Sequence, residues 1–195
     1  MKCADKWRRD AACGRFRAFI ALRFDERSTA RLVSARERLL DNAAEGRAVP
    51  DRDLHMTLAF LGDISADRAD ELQRIMKRAA RPIPLLRADR YGHFGNLYFA
   101  SVADTPELTA TWRELTRSLS ASGFRTEERD FIPHVTLARR VRLISSPETP
   151  DIRLRPVSLS LMRSELRREG AVYSEISSIG LCGRIVKNDF NRSRP

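Results

Sequence analysis

The pentapeptide pattern His-x-Thr-Leu-Ala occurs twice, as His55-Met56-Thr57-Leu58-Ala59 and as His134-Val135-Thr136-Leu137-Ala138. At ordinary residue usage, a match to His-x-Thr-Leu arises at roughly one position in ten thousand. Two copies in one chain are therefore not chance, and two of the chain's three histidines lie in them. Each copy sits in an apolar run that reads as a strand. Side chains alternate along a strand, so His55 and Thr57 share one face while Leu54, Met56, Leu58 and Phe60 take the other. His134 and Thr136 stand against Pro133, Val135 and Leu137 in the same way. The fold must bury one side of both strands and leave His plus Thr on the other. Set side by side in pseudo-symmetric sheets, the two strands would deliver two imidazoles and two hydroxyls to one cleft.

The rest of the chain supplies elements for such a fold. A strand is predicted over 16–24, with Phe16, Ala18, Ile20, Leu22 and Phe24 on its buried face. A helix from about Ser28 to Ala43 follows, with Ser28 as its cap and Leu32, Leu39 and Leu40 on its buried stripe. Gly46 closes that element. The first motif strand is predicted over 54–61, stopped by Gly62-Asp63. A helix capped by Ser65 then runs to about Ala80, burying Leu72, Ile75, Met76 and Ala79. Residues 85–102 read as a hairpin with its turn at Gly92 to Asn96. Thr105-Pro106 caps a helix carrying Leu108, Trp112, Leu115 and Leu119 and ending at Gly123. The second motif strand spans about 132–139, and two strands close the chain near 155–165 and 173–181. Hairpin signals and short connections favour antiparallel pairing, hence an α+β fold with sheets inside and helices outside.

Composition narrows the class. Of the 195 residues, 42% are hydrophobic and 32% charged, which describes a folded soluble domain. No apolar run approaches the roughly 20 residues of a spanning helix, and no signal-peptide core follows the basic start. Cys3, Cys13 and Cys182 form no paired or metal-ligand spacing, which points to a reducing cytoplasm rather than a disulfide framework. Lys and Arg exceed Asp and Glu by 36 to 26, a net charge of +10 that attracts polyanions. Residues 1–15 read as a leader, 16–183 as a single domain and 184–195 as a basic tail.

Paired histidines with flanking threonines suit phosphodiester hydrolysis. A neutral imidazole can take a proton from water and an imidazolium can give one to the departing oxygen. In-line displacement requires them on opposite sides of phosphorus. Threonine hydroxyls can donate to the non-bridging oxygens. A zinc site would need a third ligand, and neither His93 nor Asp53 is recommended by spacing, so no metal or cofactor is expected.

The strings LHMTLAFLGD and IPHVTLARR resemble the paired motifs of the two-histidine phosphoesterase superfamily, and specifically bacterial RNA 2',3'-cyclic phosphodiesterases, also described as 2'-5' RNA ligases. RFRAFIALRF, YGHFGNLYFASV and SLMRSELRREGAVYSEI resemble further strands of that family, so the resemblance spans about 16–181. It implies a bilobal α+β fold, with antiparallel sheets lining a central cleft. It also implies hydrolysis of 2',3'-cyclic phosphate ends, on RNA or a small cyclic nucleotide, to 2'-phosphomonoesters, by a monomeric, metal-independent protein. Carried over by motif, His55 is the proton donor, His134 the proton acceptor, and Thr57 and Thr136 hold the phosphate. The alternatives are 2'-5' joining of tRNA halves and a non-catalytic RNA-binding module. Phe19 and Arg23 share the face of the first strand opposite Phe16. Phe19 packs in the core or stacks on a base. Arg139 falls opposite His134 by strict alternation and reaches the cleft only if its strand bulges. Tyr91 and His93 lie near the hairpin turn, where a surface-loop role is the default and substrate contact the alternative. Arg163, Arg167 and Arg168 belong to the general basic field.

Overall fold

A computed structural model describes residues 14–126, 130–167 and 170–181. The cysteines, most of the leader and the tail lie outside these residues. Among the described residues, nine strands form two antiparallel sheets. The first, in the order β3-β1-β8-β9, combines β1 (Arg15–Phe24), β3 (Met56–Ser65), β8 (Pro156–Arg167) and β9 (Gly170–Gly180). The second, in the order β2-β6-β5-β4-β7, combines β2 (Ala43–Ala48), β4 (Leu86–Phe94), β5 (Leu97–Val102), β6 (His134–Leu143) and β7 (Ile152–Leu154). Among the described residues there are three α-helices: α1 (Glu26–Asp41), α2 (Ala69–Ala79) and α3 (Pro106–Ala121). The α+β, two-sheet expectation holds.

Alternation places the core. Ala18, Ile20 and Leu22 of β1, Leu54 and Met56 of the first motif, and Val135 and Leu137 of the second are all buried. Helix α1 lies on the second sheet, against β2, β6 and β7, and buries Leu32, Ala35 and Leu39. Each leucine fully withdrawn from water contributes about 2 kcal/mol. Helix α2 lies behind β8 and β9 and packs on α3. With helices behind, both sheets turn their other faces toward a shared cleft, where β3 and β6 approach each other.

Several boundaries differ from expectation, for local reasons. Asp25, not Ser28, caps α1, its carboxylate accepting from the Ser28 amide at 2.8 Å. Ser28 is buried and accepts from the Arg155 amide at 2.8 Å, joining the helix start to the end of β7. Residues 43–48 form an edge strand rather than a helix end, because β6 offers them a pairing partner. Gly62 does not stop β3. It takes a φ of +63° and the strand continues to Ser65, which makes no side-chain cap. The hairpin turn is only Gly95-Asn96, since β4 runs on to Phe94. Gly92 lies inside β4, where a β-carbon would collide with the ring of Phe99 on the neighbouring strand.

Candidate active site

The two imidazoles are held alike. The Nδ1 of His55 lies 2.6 Å from the Asp53 carbonyl, and that of His134 lies 2.7 Å from the Ile132 carbonyl. A carbonyl can only accept, so Nδ1 carries the proton in both rings and Nε2 is left for the cleft. Each histidine is thus oriented by the backbone two residues before it. The Asp53 segment is fixed in turn by Arg36 of α1. Its guanidinium donates to the Val49 carbonyl at 2.5 Å and to the Asp51 carboxylate at 2.7 Å. Arg23 adds a bond to the Arg52 carbonyl at 2.9 Å.

His55, Thr57, His134 and Thr136 line one cleft of about 1010 Å³. Among the described residues, neither threonine hydroxyl is bonded to a protein group, so both are available to a ligand. Among the same residues, no group of three or more His, Cys, Asp or Glu is arranged to hold a metal ion. The motif residues are brought together as the strand faces predicted.

Alternation breaks at the motif leucine, at the same position in both strands. On β3, Thr57 pairs with Ala21 and Ala59 with Ile20, leaving Leu58 as an extra residue. On β6, Thr136 pairs with Phe99 and Ala138 with Tyr98, leaving Leu137 extra. Each bulge flips the residues after it. Ala59 and Leu61 therefore point to the core, and Phe60 pairs with Phe19 on the cleft face, 46% exposed. This corrects the expectation that Phe60 faces the core. By the same shift Arg139 enters the cleft lining. The fifth residue after each histidine is thus a cleft residue: an aromatic on one strand and a cation on the other.

Phe19 takes the packed position of the two readings. It is buried, yet it floors the cleft with its ring stacked on His55 at 5.0 Å. Tyr173 of β9 meets both rings edge-on, at 5.0 Å from Phe19 and 5.7 Å from His55. Across the cleft, Phe99 and Phe94 pack on His134 at 4.8 and 5.6 Å. Sequence reading missed Tyr173, Phe60, Phe94 and Phe99. Only their neighbours across strands reveal them, and for Tyr173, Phe94 and Phe99 no spacing signal links them to the motifs.

The environment of His55 is apolar and cationic. Burial, chiefly, lowers its pKa from 6.5 to about 4, and Arg23, Arg139 and His134 add to the effect against the opposing Asp53 carbonyl bond. Free His55 is therefore a neutral imidazole at pH 7. Asp53, buried beside it, has its carboxyl raised by desolvation against the pull of Arg52 and Arg23. Arg23 is itself lowered by burial, opposed by Glu175 and Asp53.

Other candidates lie elsewhere. Tyr91 does not reach the cleft, because its hydroxyl donates to the Ala35 carbonyl of α1 at 2.8 Å behind the sheet. His93 stacks on Tyr98 at 5.3 Å, outside the cleft lining. Arg163 and Arg167 pair with Glu165 at 3.2 and 3.1 Å, while Arg168 lies outside the described residues.

Comparison with known proteins places the chain in a family and a fold. Residues 21–167 match the 2'-5' RNA ligase superfamily. An RNA 2',3'-cyclic phosphodiesterase of Thermotoga maritima is 24% identical over 88% of this chain and 98% of its own length. One from Methanothermobacter thermautotrophicus is 27% identical, over 82% and 96%. Among solved structures, Escherichia coli LigT complexed with 3'-AMP has the same fold. Its TM-score is 0.73 at 24% identity, covering 85% of this chain and 98% of that one. A Thermus thermophilus protein gives 0.65 at 26% identity, covering 85% and 97%.

Proposed function

The chain belongs to the 2'-5' RNA ligase superfamily, and from that footing we propose that it hydrolyses 2',3'-cyclic phosphate ends of RNA to 2'-phosphomonoesters. One observation carries the reading. Two imidazoles, each with Nδ1 tied to a backbone carbonyl, present Nε2 to one cleft that also holds two unbonded threonine hydroxyls.

In this reading water attacks phosphorus and His134 Nε2 takes its proton. The P–O3' bond breaks, and O3' takes a proton from His55 Nε2. Thr57, Thr136 and Arg139 donate to the non-bridging oxygens, where charge builds as the nucleophile enters. The products are a 2'-phosphate and a free 3'-hydroxyl, and exchange with solvent restores the two imidazoles. Since free His55 is neutral at pH 7, its acid form arises with the substrate. The phosphate brings a negative charge next to a ring whose proton affinity is lowered by burial and by neighbouring cations.

The test is an oligoribonucleotide ending in 2',3'-cyclic phosphate, incubated with the protein in EDTA and analysed by mass spectrometry and phosphorus NMR. A 2'-phosphate is expected. His55→Ala and His134→Ala should each lower the rate by about a hundredfold or more. Full activity in either variant would refute the assigned chemistry.

A further inference from the structure

The cleft extends past the catalytic groups, and among the described residues its two rims differ in charge. Beside His134 the rim is Phe94, Trp112, Phe131 and Ile132, with the acid Asp130. Beside His55 it holds Phe60 and Leu166, and at its outer end Arg17. Arg17 lies on the cleft face of β1, two residues from Phe19, and pairs across to Ser164 of β8, which also lines the cleft. It is exposed; its other cross-strand partner is Asp63 of β3, outside the cleft lining, and among the described residues no carboxylate lies within ion-pair distance of it. Among the described residues, Arg139 and Arg17 are the two cations of the lining. The first acts on His55. The second stands one step further out, beyond the exposed ring of Phe60.

An RNA chain carrying a terminal cyclic phosphate must leave the catalytic centre in its 5' direction, and its next charge is an internucleotide phosphate. We propose that Arg17 binds this phosphate, with Ser164 beside it and Phe60 offering an apolar face to the nucleoside between. The opposite rim would repel the same group through Asp130. The subsite makes an oligonucleotide, rather than a cyclic mononucleotide, the preferred substrate. It rests on the proposed function for the identity of the reacting end but not for its own existence, since it concerns binding outside the reacting atoms.

The experiment compares a trinucleotide ending in 2',3'-cyclic phosphate with a 2',3'-cyclic mononucleoside phosphate lacking any 5'-phosphate. Arg17→Gln should lower the ratio of kcat/KM for the longer over the shorter substrate by about tenfold. It should also reduce the slope of log affinity against log salt by about one for the trinucleotide. Arg17→Lys should recover most of the ratio, and Arg90→Gln, outside the cleft lining, should leave it at the wild-type value. An unchanged ratio in Arg17→Gln would overturn the subsite. Dissociation constants are read in parallel with His134→Ala as background. Should wild-type protein turn over neither substrate, the catalytic reading fails, while the ratio of dissociation constants with and without Arg17→Gln still decides the subsite.

Discussion

His55 sits in the free cleft with a pKa of about 4, and a phosphodiester bound against it carries one negative charge. At about 4 Å and an effective dielectric constant of about 20, opposite unit charges attract by about 4 kcal/mol. Each pKa unit corresponds to about 1.4 kcal/mol, so the anion should raise His55 by about 3 units, to about 7. Linkage fixes the sign. Below pH 4 both free and bound protein hold the proton, and affinity is high and level. Between pH 4 and 7 binding takes up a proton, so affinity falls about tenfold for each unit that pH rises. Above pH 7 it is low and level again. A 2',3'-cyclic mononucleotide is a monoanion throughout this window, so the ligand adds no titration of its own. His134→Ala protein, which should not turn the ligand over, allows calorimetry from pH 5 to 7.5 and an NMR titration of the His55 ring with and without ligand. An affinity that is flat across pH 5 to 7, or a free His55 resonance that titrates near 6.5, would refute the account.

The same depression acts on folding. Unfolded His55 takes a proton near pH 6.5 but folded His55 not until about 4, so falling pH should remove about 3 kcal/mol of stability across that window. Urea unfolding of wild type and His55→Gln at pH 7 and pH 4.5 should show the smaller loss in the variant. Gly92→Ala would push the Phe99 ring toward His134. A stability loss of about 1–3 kcal/mol is expected from such overpacking, together with a lower kcat, read by thermal unfolding and initial rates. Tyr91→Phe removes one hydrogen bond behind the second sheet, so it should cost about 1 kcal/mol in unfolding while kcat stays at the wild-type value.

What the sequence could reveal was whatever depends on a residue's own strand or helix. The tetrapeptides, their buried partners Met56 and Val135, and the capped start of α3 at Thr105 all follow from local periodicity and hydrogen-bonding chemistry. The bulges at Leu58 and Leu137 do not, because an extra residue exists only relative to a partner strand. Alternation alone consequently puts Phe60 on the wrong face and admits Arg139 to the cleft only if the strand bulges. Ala43–Ala48 has neither β-branched residues nor alternation and becomes a strand only by pairing with β6. The depressed pKa of His55 was equally out of reach, since Phe19 and Tyr173 come from strands far away in sequence.

A pair of matched imidazoles carries a hidden ambiguity. Two groups held in the same way, by the same carbonyl bond, could receive a cyclic phosphate in either of two orientations related by the pseudo-two-fold. One orientation would release the 3' oxygen and the other the 2' oxygen. The bulges bring to the cleft the one position where the repeats differ most in chemistry, an aromatic ring after His55 and a guanidinium after His134. On the proposed chemistry, regioselectivity would be governed just outside the repeated tetrapeptides, by how a base and an anion sort themselves between Phe60 and Arg139.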